Sequence, residues 1–258
     1  MGKVIFVGAG PGDPELITIK GSMAIAEADR IIYAGSLVNP ALLELAKPGT
    51  PVHDSSVLTL EQVIELIENA VHSGEKVVRL HTGDPSIYGA IQEQIVALES
   101  KGIDYSIIPG VSSVFAAAAS IKKEFTLPGI SQTLILTRLA GRTPVPEQED
   151  LKSLAKHRTS MAIFLSIQDI GSVVSALLEG YSKDTPVAVV YRASWKDEQV
   201  IRGTLETIKE QVKEAGIRKQ AQILVGDFLG SQFERSKLYD PSFSHEYREG
   251  TLSGKVLT

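Results

Sequence analysis

The sequence contains no cysteine, and this absence excludes several kinds of chemistry at once. Disulfide bonds, thiolate nucleophiles and cysteine-ligated metal sites all require a thiol, so any function must rest on other side chains. The histidines His53, His72, His157 and His245 also lack the spacing of a metal site. We therefore predict no protein-bound metal.

Long apolar runs and an excess of positive charge are missing as well. No stretch approaches the ~20 apolar residues that a membrane-spanning helix needs. The chain passes from Met1 into the strand-like residues Lys3–Val7 without a charged-then-apolar leader. The net charge of −5 argues against a general nucleic-acid surface. We expect a cytoplasmic protein that binds neither membranes nor nucleic acids.

The sequence does contain apolar strands that end in glycine-rich loops. Val77, Val78 and Leu80 favour a buried strand, which leads into the compact loop Thr82–Gly89. Gly83 tolerates a positive φ and Pro85 fixes its own φ, so the loop shape is encoded locally. Ligands of open α/β sheets bind beyond the carboxyl ends of strands, which predicts a site here, although a plain strand-to-helix turn has similar composition.

Strand-like and helix-like segments alternate along almost the whole chain. One helix is predicted from Thr59, with an apolar face at helical spacing, and another from about Ser86 to Glu99. The pattern lapses after Ser120 and then resumes, with a helix predicted over Glu147–Lys156. We predict an N-terminal α/β domain of residues 1–120, a C-terminal α/β domain of residues 121–231, and a tail of residues 232–258 that is loosely ordered or docked on a partner.

The first loop, Gly8–Pro14, resembles a dinucleotide-binding turn only superficially. The fingerprint Gly-x-Gly-x-x-Gly needs glycine where Asp13 stands, and Pro11 removes an N–H group. No acidic residue ends the next strand, Arg30–Ala34, to hold a ribose hydroxyl. An NAD enzyme is therefore disfavoured. A nucleotide hydrolase is disfavoured too, because the phosphate-binding Gly-Lys-Ser/Thr loop is absent.

Several ordered motifs resemble the tetrapyrrole methyltransferase family. They are Val7–Thr18 (VGAGPGDPELIT), Gly83–Pro85 with Tyr88–Gly89, Pro109–Ser113 (PGVSS), Pro186–Val190 (PVAVV) with Gly203–Leu205, and Ile223–Gly226 (ILVG). Together they span about residues 3–230. Within the family, Tyr33–Val38 (YAGSLV) most resembles the precorrin-4 C11-methyltransferases of cobalamin biosynthesis.

The resemblance implies an α/β protein of two domains with mostly parallel or mixed sheets, similar to the class III methyltransferases, that forms a homodimer. S-adenosyl-L-methionine would bind between the domains and leave as S-adenosyl-L-homocysteine. The implied reaction is methylation of C-11 of precorrin-4 or cobalt-precorrin-4, and any cobalt would belong to this tetrapyrrole substrate. Alignment of two reactants can contribute on the order of 7–11 kcal/mol, so the reaction needs no nucleophile from the protein and we predict no particular catalytic residue. A general base could still take the displaced proton, and His81 could be an acid–base residue or a structural one.

The resemblance also implies which residues hold the methyl donor. In the first half of the chain they follow the glycine-rich strands, with Gly83 and Asp84 at the methionine end. In the second half, two residues at strand ends would hold the adenine, largely through backbone groups. The full set is Pro11, Thr82, Gly83, Asp84, Ile87, Ser112, Ser113, Leu165 and Ala193.

A substrate with many carboxylates needs local positive charge on this acidic chain. Arg138 and Arg192, together with Ser36, are the candidates to bind it, although each arginine could also be a solvated surface charge. Trp195 could stack on the macrocycle or pack within the protein. Relatives that methylate uroporphyrinogen carry Asp where this chain has Ala34, so an acid or base role at that position is not transferred.

Two other functions stay open. The chain could methylate another ring position, or a protein residue as diphthine synthases do. It could also be a binding module that keeps the site without turnover, which the intact loops make the weaker alternative.

Overall fold

A computed structural model describes residues 2–251, apart from the side chain of Ser36. The chain forms two compact units. The first contains the residues up to Ser120 together with Tyr191–Gln199, and the second contains Ile121–Val190 and the residues from Val200 onward. We call Tyr191–Gln199 the return segment, because the chain rejoins the first unit there.

The first unit is built on a parallel sheet of five strands in the described residues. The strand order is β3-β2-β4-β1-β5, and every neighbouring pair is parallel. The carboxyl ends of the strands therefore lie along one edge, which we call the carboxyl edge. The strands are β1 (Lys3–Gly8), β2 (Arg30–Tyr33), β3 (Val52–Asp54), β4 (Lys76–His81) and β5 (Tyr105–Ile108).

Alternate residues of these strands enter two separate cores, as the period of two requires. Val4 and Phe6 pack with α2 (Leu60–His72) and α3 (Gln92–Ser100) on one face. Ile5 and Val7 pack with α1 (Ile19–Ala26) on the other face. Burial on both faces explains why the central strand β1 is almost continuously apolar. The remaining helix of the described first unit is α4 (Ser113–Ser120).

Helix α2 confirms the prediction made from its apolar spacing. The Thr59 hydroxyl accepts a hydrogen bond from the Gln62 N–H, and the Gln62 side chain accepts one from the Thr59 N–H at 2.9 Å. Such a capping box satisfies two of the N–H groups that a helix start leaves free, and an N-cap contributes about 1 kcal/mol. Val63, Ile64, Ile67 and Val71 are buried on the predicted face.

The second unit contains a mixed sheet and three α-helices in the described residues. The strand order is β6-β7-β10-β8-β9, with β6 parallel and β10 antiparallel to β7. Met161, Ile163 and Leu224 of this sheet are fully buried. The elements are β6 (Leu134–Arg138), β7 (Ser160–Phe164), β8 (Pro186–Tyr191), β9 (Gln199–Thr204), β10 (Ala221–Val225), α5 (Leu151–Ala155), α6 (Ile170–Leu177) and α7 (Ile208–Glu214).

The described part of the tail is organised by one arginine. The Arg248 guanidinium donates to the carbonyl oxygens of Leu238, Asp240 and Phe243 at 2.8, 2.7 and 3.3 Å. One short 3-10 turn, Lys237–Tyr239, is the helical element of residues 231–251. The predicted tail extends to residue 258, and residues 252–258 lie outside the described part.

One parallel and one mixed sheet agree with the predicted α/β class, but the starts of two helices were wrong and one strand was missed. Helix α3 begins at Gln92 instead of Ser86, because Tyr88 and Ala90 adopt φ values of 56° and 49° that no α-helix allows. The helix predicted from Glu147 is a 3-10 turn that gives way to α5 only after Asp150. Strand β3 was not predicted, since three residues are too few for a periodic signal.

Candidate functional site

Three glycines meet at the carboxyl edge of the first sheet. A Cβ atom added to Gly8 would lie 2.6 Å from the Gly110 Cα and 2.7 Å from the Gly83 carbonyl oxygen. A Cβ on Gly110 would lie 2.2 Å from the same oxygen. Real Cβ atoms do not approach backbone so closely, so only glycine lets the loops after β1, β4 and β5 meet. We call this contact the glycine junction.

Backbone hydrogen bonds hold the first two loops of the junction together. Gly83 donates to the Gly10 carbonyl at 2.9 Å and Gly10 donates to the Gly83 carbonyl at 3.2 Å. Just before them, Ala9 donates to the His81 carbonyl at 2.7 Å. Gly10 and Gly83 both have positive φ, 75° and 60°, which glycine adopts without strain. Beyond the ends of the parallel strands β1 and β4, Gly10 and Gly83 thus form an isolated antiparallel bridge.

Asp84 connects the second loop to the third. One carboxylate oxygen accepts hydrogen bonds from the Ser86 N–H, at 2.9 Å, and from the Ser86 hydroxyl. The other oxygen accepts from the Gly110 N–H at 2.8 Å. Burial alone would raise the pKa of the Asp84 carboxyl, but these hydrogen bonds outweigh it and the pKa is lowered. Asp84 is therefore a carboxylate at neutral pH that already braces two loops.

Four other predicted donor-binding residues lie at the same edge. Ser112 and Ser113 follow the Gly110 loop, and a Cβ on Gly83 would be only 3.6 Å from the Ser112 Cα and 3.8 Å from the Ser113 nitrogen. Ser112 is buried, whereas Thr82 and Ile87 are half-buried beside the Gly83–Asp84 turn. The fold thus brings these residues together, although they are widely separated in sequence.

The first loop is held in place by the return segment. Pro11 is buried, and its carbonyl accepts a hydrogen bond from the Trp195 indole N–H at 3.0 Å. The Asp13 N–H donates to the Ser194 hydroxyl at 3.0 Å. Ala193, predicted to hold adenine, is buried within this segment. Pro11 and Ala193 therefore belong to the same unit although they are far apart in sequence.

The candidate substrate-binding arginines are already engaged with protein groups. The Arg192 guanidinium lies over the Trp195 ring, 3.9 Å from its centroid, and forms an ion pair with Asp197. Arg138 donates to the carbonyls of Thr143 and Pro144 at 3.1 and 2.7 Å in the second unit. Their substrate contacts stay predictions.

The remaining two predicted site residues are Leu165 and Ser36. Leu165 lies in the second unit at the end of β7, with a positive φ of 54° and 71% of its surface exposed. A leucine in this backbone region costs energy, and such strain is concentrated at functional sites. Ser36 lies in the 3-10 turn Gly35–Leu37, and its side chain lies outside the described part of the structure.

Two polar side chains on β4, those of Arg79 and His81, are buried. Arg79 donates to the Gln94 side chain at 3.1 Å and to the Ile32 carbonyl at 3.3 Å, and burial lowers its pKa to about 10. Burial, and next the charge of Arg79, lowers the pKa of His81 to about 3. His81 is therefore neutral at physiological pH, which favours its interpretation as a structural residue over an acid–base role.

Residues 2–251 contain neither a candidate membrane-spanning helix nor a candidate metal site. None of the helices there combines the length and apolar character needed to cross a bilayer. In the same residues, no group of three or more His, Asp or Glu side chains is arranged to hold a metal ion. The described chemistry is concentrated instead in the loops of the carboxyl edge.

A fold of this kind, with strand-end loops that interlock through glycine, defines an α/β ligand-binding protein. The sequence matches the family of tetrapyrrole (corrin/porphyrin) methylases over residues 3–209. The chain belongs to this family, which confirms the resemblance inferred from the motifs.

Particular relatives are similar over almost the full length. The chain is 61% identical over 249 residues to a cobalt-precorrin-4 C(11)-methyltransferase of Methanocaldococcus jannaschii, covering 96% of each chain. It superimposes with a TM-score of 0.87 on a solved cobalt precorrin-4 methyltransferase, a cobalamin biosynthetic enzyme, at 47% identity over 89% of this chain and 96% of the other. This similarity confirms the predicted α/β architecture.

A more distant solved structure is a complex with a ligand. It is the uroporphyrin-III C-methyl transferase of Thermus thermophilus complexed with S-adenyl homocysteine. The TM-score is 0.74 at 28% identity, over 88% of this chain and 93% of that one. Both solved structures therefore share the fold at sequence identities that support a common family.

Sequence reasoning missed two features of the site. It did not foresee the role of Gly110 in the glycine junction, although the Pro-Gly pair after a strand marked the loop. It also did not decide whether Trp195 stacks on a ligand or packs within the protein, and in the structure the indole N–H donates to the Pro11 carbonyl. Nothing local could decide this, because the two residues are 184 positions apart.

Proposed function

We propose that this chain is an S-adenosylmethionine-dependent C-methyltransferase that methylates C-11 of cobalt-precorrin-4 or precorrin-4 in cobalamin biosynthesis. The observation that carries the proposal is the 61% identity to the M. jannaschii enzyme across 96% of both chains. The glycine junction supports it, because the loops that the family motifs mark are brought together in one place.

The residues of the carboxyl edge fit a bound methyl donor. The space beside Gly8 and Gly110 is filled by the backbone of the neighbouring loops, which holds these loops in direct contact. Pro11, Gly83 and Asp84 lie in the same loops. In the proposal they hold the donor with Thr82, Ile87, Ser112, Ser113 and Ala193, and Leu165 contributes from the second unit.

Asp84 has a double role in this proposal. Its carboxylate braces Ser86 and Gly110, and carboxylate oxygens have further lone pairs, about four in total. It can therefore also accept a hydrogen bond from the ammonium group at the methionine end of the donor. The lowered pKa of Asp84 keeps the charge that this contact requires.

The chemistry that S-adenosylmethionine supplies when bound is an electrophilic methyl group for an electron-rich ring carbon. The chain contributes by fixing geometry. Ala9 donates to His81, Gly10 and Gly83 donate to each other, and Gly110 donates to Asp84, so protein groups alone hold these loops in a fixed geometry. We assign no general base, and the buried, neutral His81 is not suited to that role.

The proposal also covers substrate binding, the oligomeric state and the location of the protein in the cell. Arg138, Arg192 and Ser36 are proposed to recognise the carboxylate-rich tetrapyrrole, with both arginines also held by protein groups. We propose a homodimer that works in the cytoplasm, and cobalt enters only as part of the substrate.

The test is a turnover assay with isotope-labelled methyl donor and three substrates: cobalt-precorrin-4, precorrin-4 and uroporphyrinogen III. We expect the label at C-11 of one or both precorrin-4 forms, identified by NMR of the product. Label on uroporphyrinogen III alone would instead support methylation at another ring position. S-adenosylhomocysteine binding without turnover on any of the three would support a binding module.

A further inference from the structure

The contact between the return segment and the first loop is unusually close. The indole N–H of Trp195 donates to the Pro11 carbonyl at 3.0 Å, and the next residue of the loop, Gly12, faces the same ring. A Cβ on Gly12 would lie 2.0 Å from the indole Cδ1 and 2.1 Å from Nε1. The indole therefore occupies the space that any side chain at position 12 would need.

Gly12 is not required for its backbone conformation. Its φ is not among the positive values of the described chain, so alanine could adopt the same backbone. The obstacle to a side chain is the indole alone, among the three nearest atoms that a Cβ would meet. This distinguishes Gly12 from Gly10, whose φ of 75° would strain any other residue.

The indole is itself fixed by its neighbours. The Arg192 guanidinium lies 3.9 Å from the ring centroid, within the range of a cation–π contact. The Glu198 carboxylate accepts hydrogen bonds from the Ser194 N–H at 2.6 Å and from the Ser120 hydroxyl at the end of α4 at 2.7 Å. The return segment is thus anchored to the first unit independently of its contact with the loop.

The loop has a further hydrogen bond on which this arrangement depends. The Asn39 side-chain amide donates to the Gly12 carbonyl at 2.8 Å. Pro11, Gly12 and Asp13 each therefore have a backbone group bound to a side chain, from Trp195, Asn39 and Ser194 respectively. A loop with two prolines and three glycines has little regular structure of its own, so these side chains determine its conformation.

We propose that Trp195 is a positioning residue for the methyl donor: its indole fixes Pro11–Gly12 in the conformation that binds the donor. This inference rests on the proposed function and deepens it. Arg192 then acts on the site through the indole, besides any contact with the substrate.

The first test compares S-adenosylhomocysteine binding by calorimetry in Trp195→Phe and Trp195→Ala. Trp195→Phe keeps a packed ring and loses one hydrogen bond, so we expect binding about fivefold weaker. Trp195→Ala should lose substantially more, with KM for the donor rising more than kcat falls. Tyr105→Phe is the control, because it removes the hydroxyl through which Tyr105 on β5 donates to Glu99 on α3 of the same unit. It should bind normally.

The second test is a double-mutant cycle with Gly12→Ala. In the wild-type background the new methyl group displaces the indole, and we expect binding at least tenfold weaker. In the Trp195→Ala background the space is free, so Gly12→Ala should cause little further loss. Equal losses in both backgrounds would contradict the proposed steric contact.

The third test uses indole fluorescence, since Trp195 is the only tryptophan of the chain. S-adenosylhomocysteine should change the wild-type emission, and Gly12→Ala should shift the emission of the free protein to longer wavelength by exposing the indole. Wild-type protein that fails to bind S-adenosylhomocysteine would contradict the proposed function and this inference together. Normal binding by wild type and by both folded Trp195 variants would overturn this inference alone.

Discussion

Two turns of this protein have the same tripeptide sequence and different surroundings. Asp84-Pro85-Ser86 follows β4 in the first unit, and Asp240-Pro241-Ser242 lies in the tail of the second. In both turns one aspartate oxygen accepts hydrogen bonds from the N–H and the hydroxyl of the serine two residues later. The local sequence therefore specifies the same turn twice.

The two aspartates differ in their second oxygen. That oxygen of Asp84 accepts from Gly110, 26 residues away, and so joins two strand-end loops. Among the described residues, the carboxylate of Asp240 accepts hydrogen bonds only from Ser242 in its own turn, and the Ser242 hydroxyl is the first cause of its lowered pKa. The local turn is therefore not sufficient for the candidate site. The candidate site also needs the Gly110 loop, which the fold places beside the same carboxylate.

The largest effect is expected from Gly110→Ala, which alters the residue whose N–H donates to Asp84. The new Cβ would lie 2.2 Å from the Gly83 carbonyl oxygen, so the loops must separate. We expect a loss of about 3 kcal/mol in the free energy of unfolding and no measurable binding of S-adenosylhomocysteine by calorimetry.

Gly102→Ala is the matched control for this prediction. Gly102 has a φ of 64° and no atom within 4 Å of an added Cβ, so alanine there brings only backbone strain of about 1–2 kcal/mol. Binding should stay normal. If both variants bind equally well, the glycine junction is not part of the ligand site.

The next largest effect is expected from Asp84→Asn, and Asp240→Asn is the matching change in the other turn. An asparagine has one acceptor oxygen, so at position 84 it cannot serve both Ser86 and Gly110. We expect Asp84→Asn to lose about 1–3 kcal/mol of stability and at least tenfold in S-adenosylhomocysteine affinity. Asp240→Asn should keep its turn and its binding. Equal binding by the two variants would remove Asp84 from the site.

The next prediction concerns His81, which lies on β4 three residues before Asp84 and makes the stability of the folded protein depend on pH. Its folded pKa of about 3 is far below the ordinary value of 6.5, so below pH 6.5 the unfolded chain binds the extra proton first. Stability due to neutral His81 is complete above pH 6.5 and is lost as the pH falls towards 3. The loss at pH 5 is about 2 kcal/mol.

Urea unfolding of wild type and His81→Gln at pH 7 and pH 5 measures this difference. Other titrating groups are common to both proteins and cancel. We expect the free energy of unfolding to fall by about 2 kcal/mol more in wild type than in the variant over this interval. Parallel pH profiles would mean that His81 is protonated in the folded protein at pH 5.

Much of the fold was predictable because its signals are local. The capping box at Thr59 and the apolar face of α2 lie within one segment, and the glycines and prolines after β1, β4 and β5 mark each loop where it occurs. Helix α3 was misjudged because Tyr88 and Ala90 adopt positive φ, which their residue types do not suggest. Such a conformation is imposed by the surroundings of the loop.

The unpredictable part of the candidate site consists of contacts between distant segments. Gly110 and Asp84, or Trp195 and Pro11, have no joint pattern in one sequence, since each loop alone is compatible with an ordinary turn. The family motifs supplied the list of loops, and the structure supplied their order in space within the first unit. Contacts of Leu165 and Arg138 with the ligand stay predictions.

The smallest effect is expected from the serines that the two turns share. Ser86→Ala and Ser242→Ala each remove one hydroxyl hydrogen bond and keep the backbone N–H bond to the aspartate. Each should cost about 0.5–1 kcal/mol of stability, and binding should change at most twofold for Ser86→Ala and not at all for Ser242→Ala. Since the Gly110 bond to Asp84 survives in Ser86→Ala, a large loss of binding there would show that the local turn, and not the connection to Gly110, orients the carboxylate.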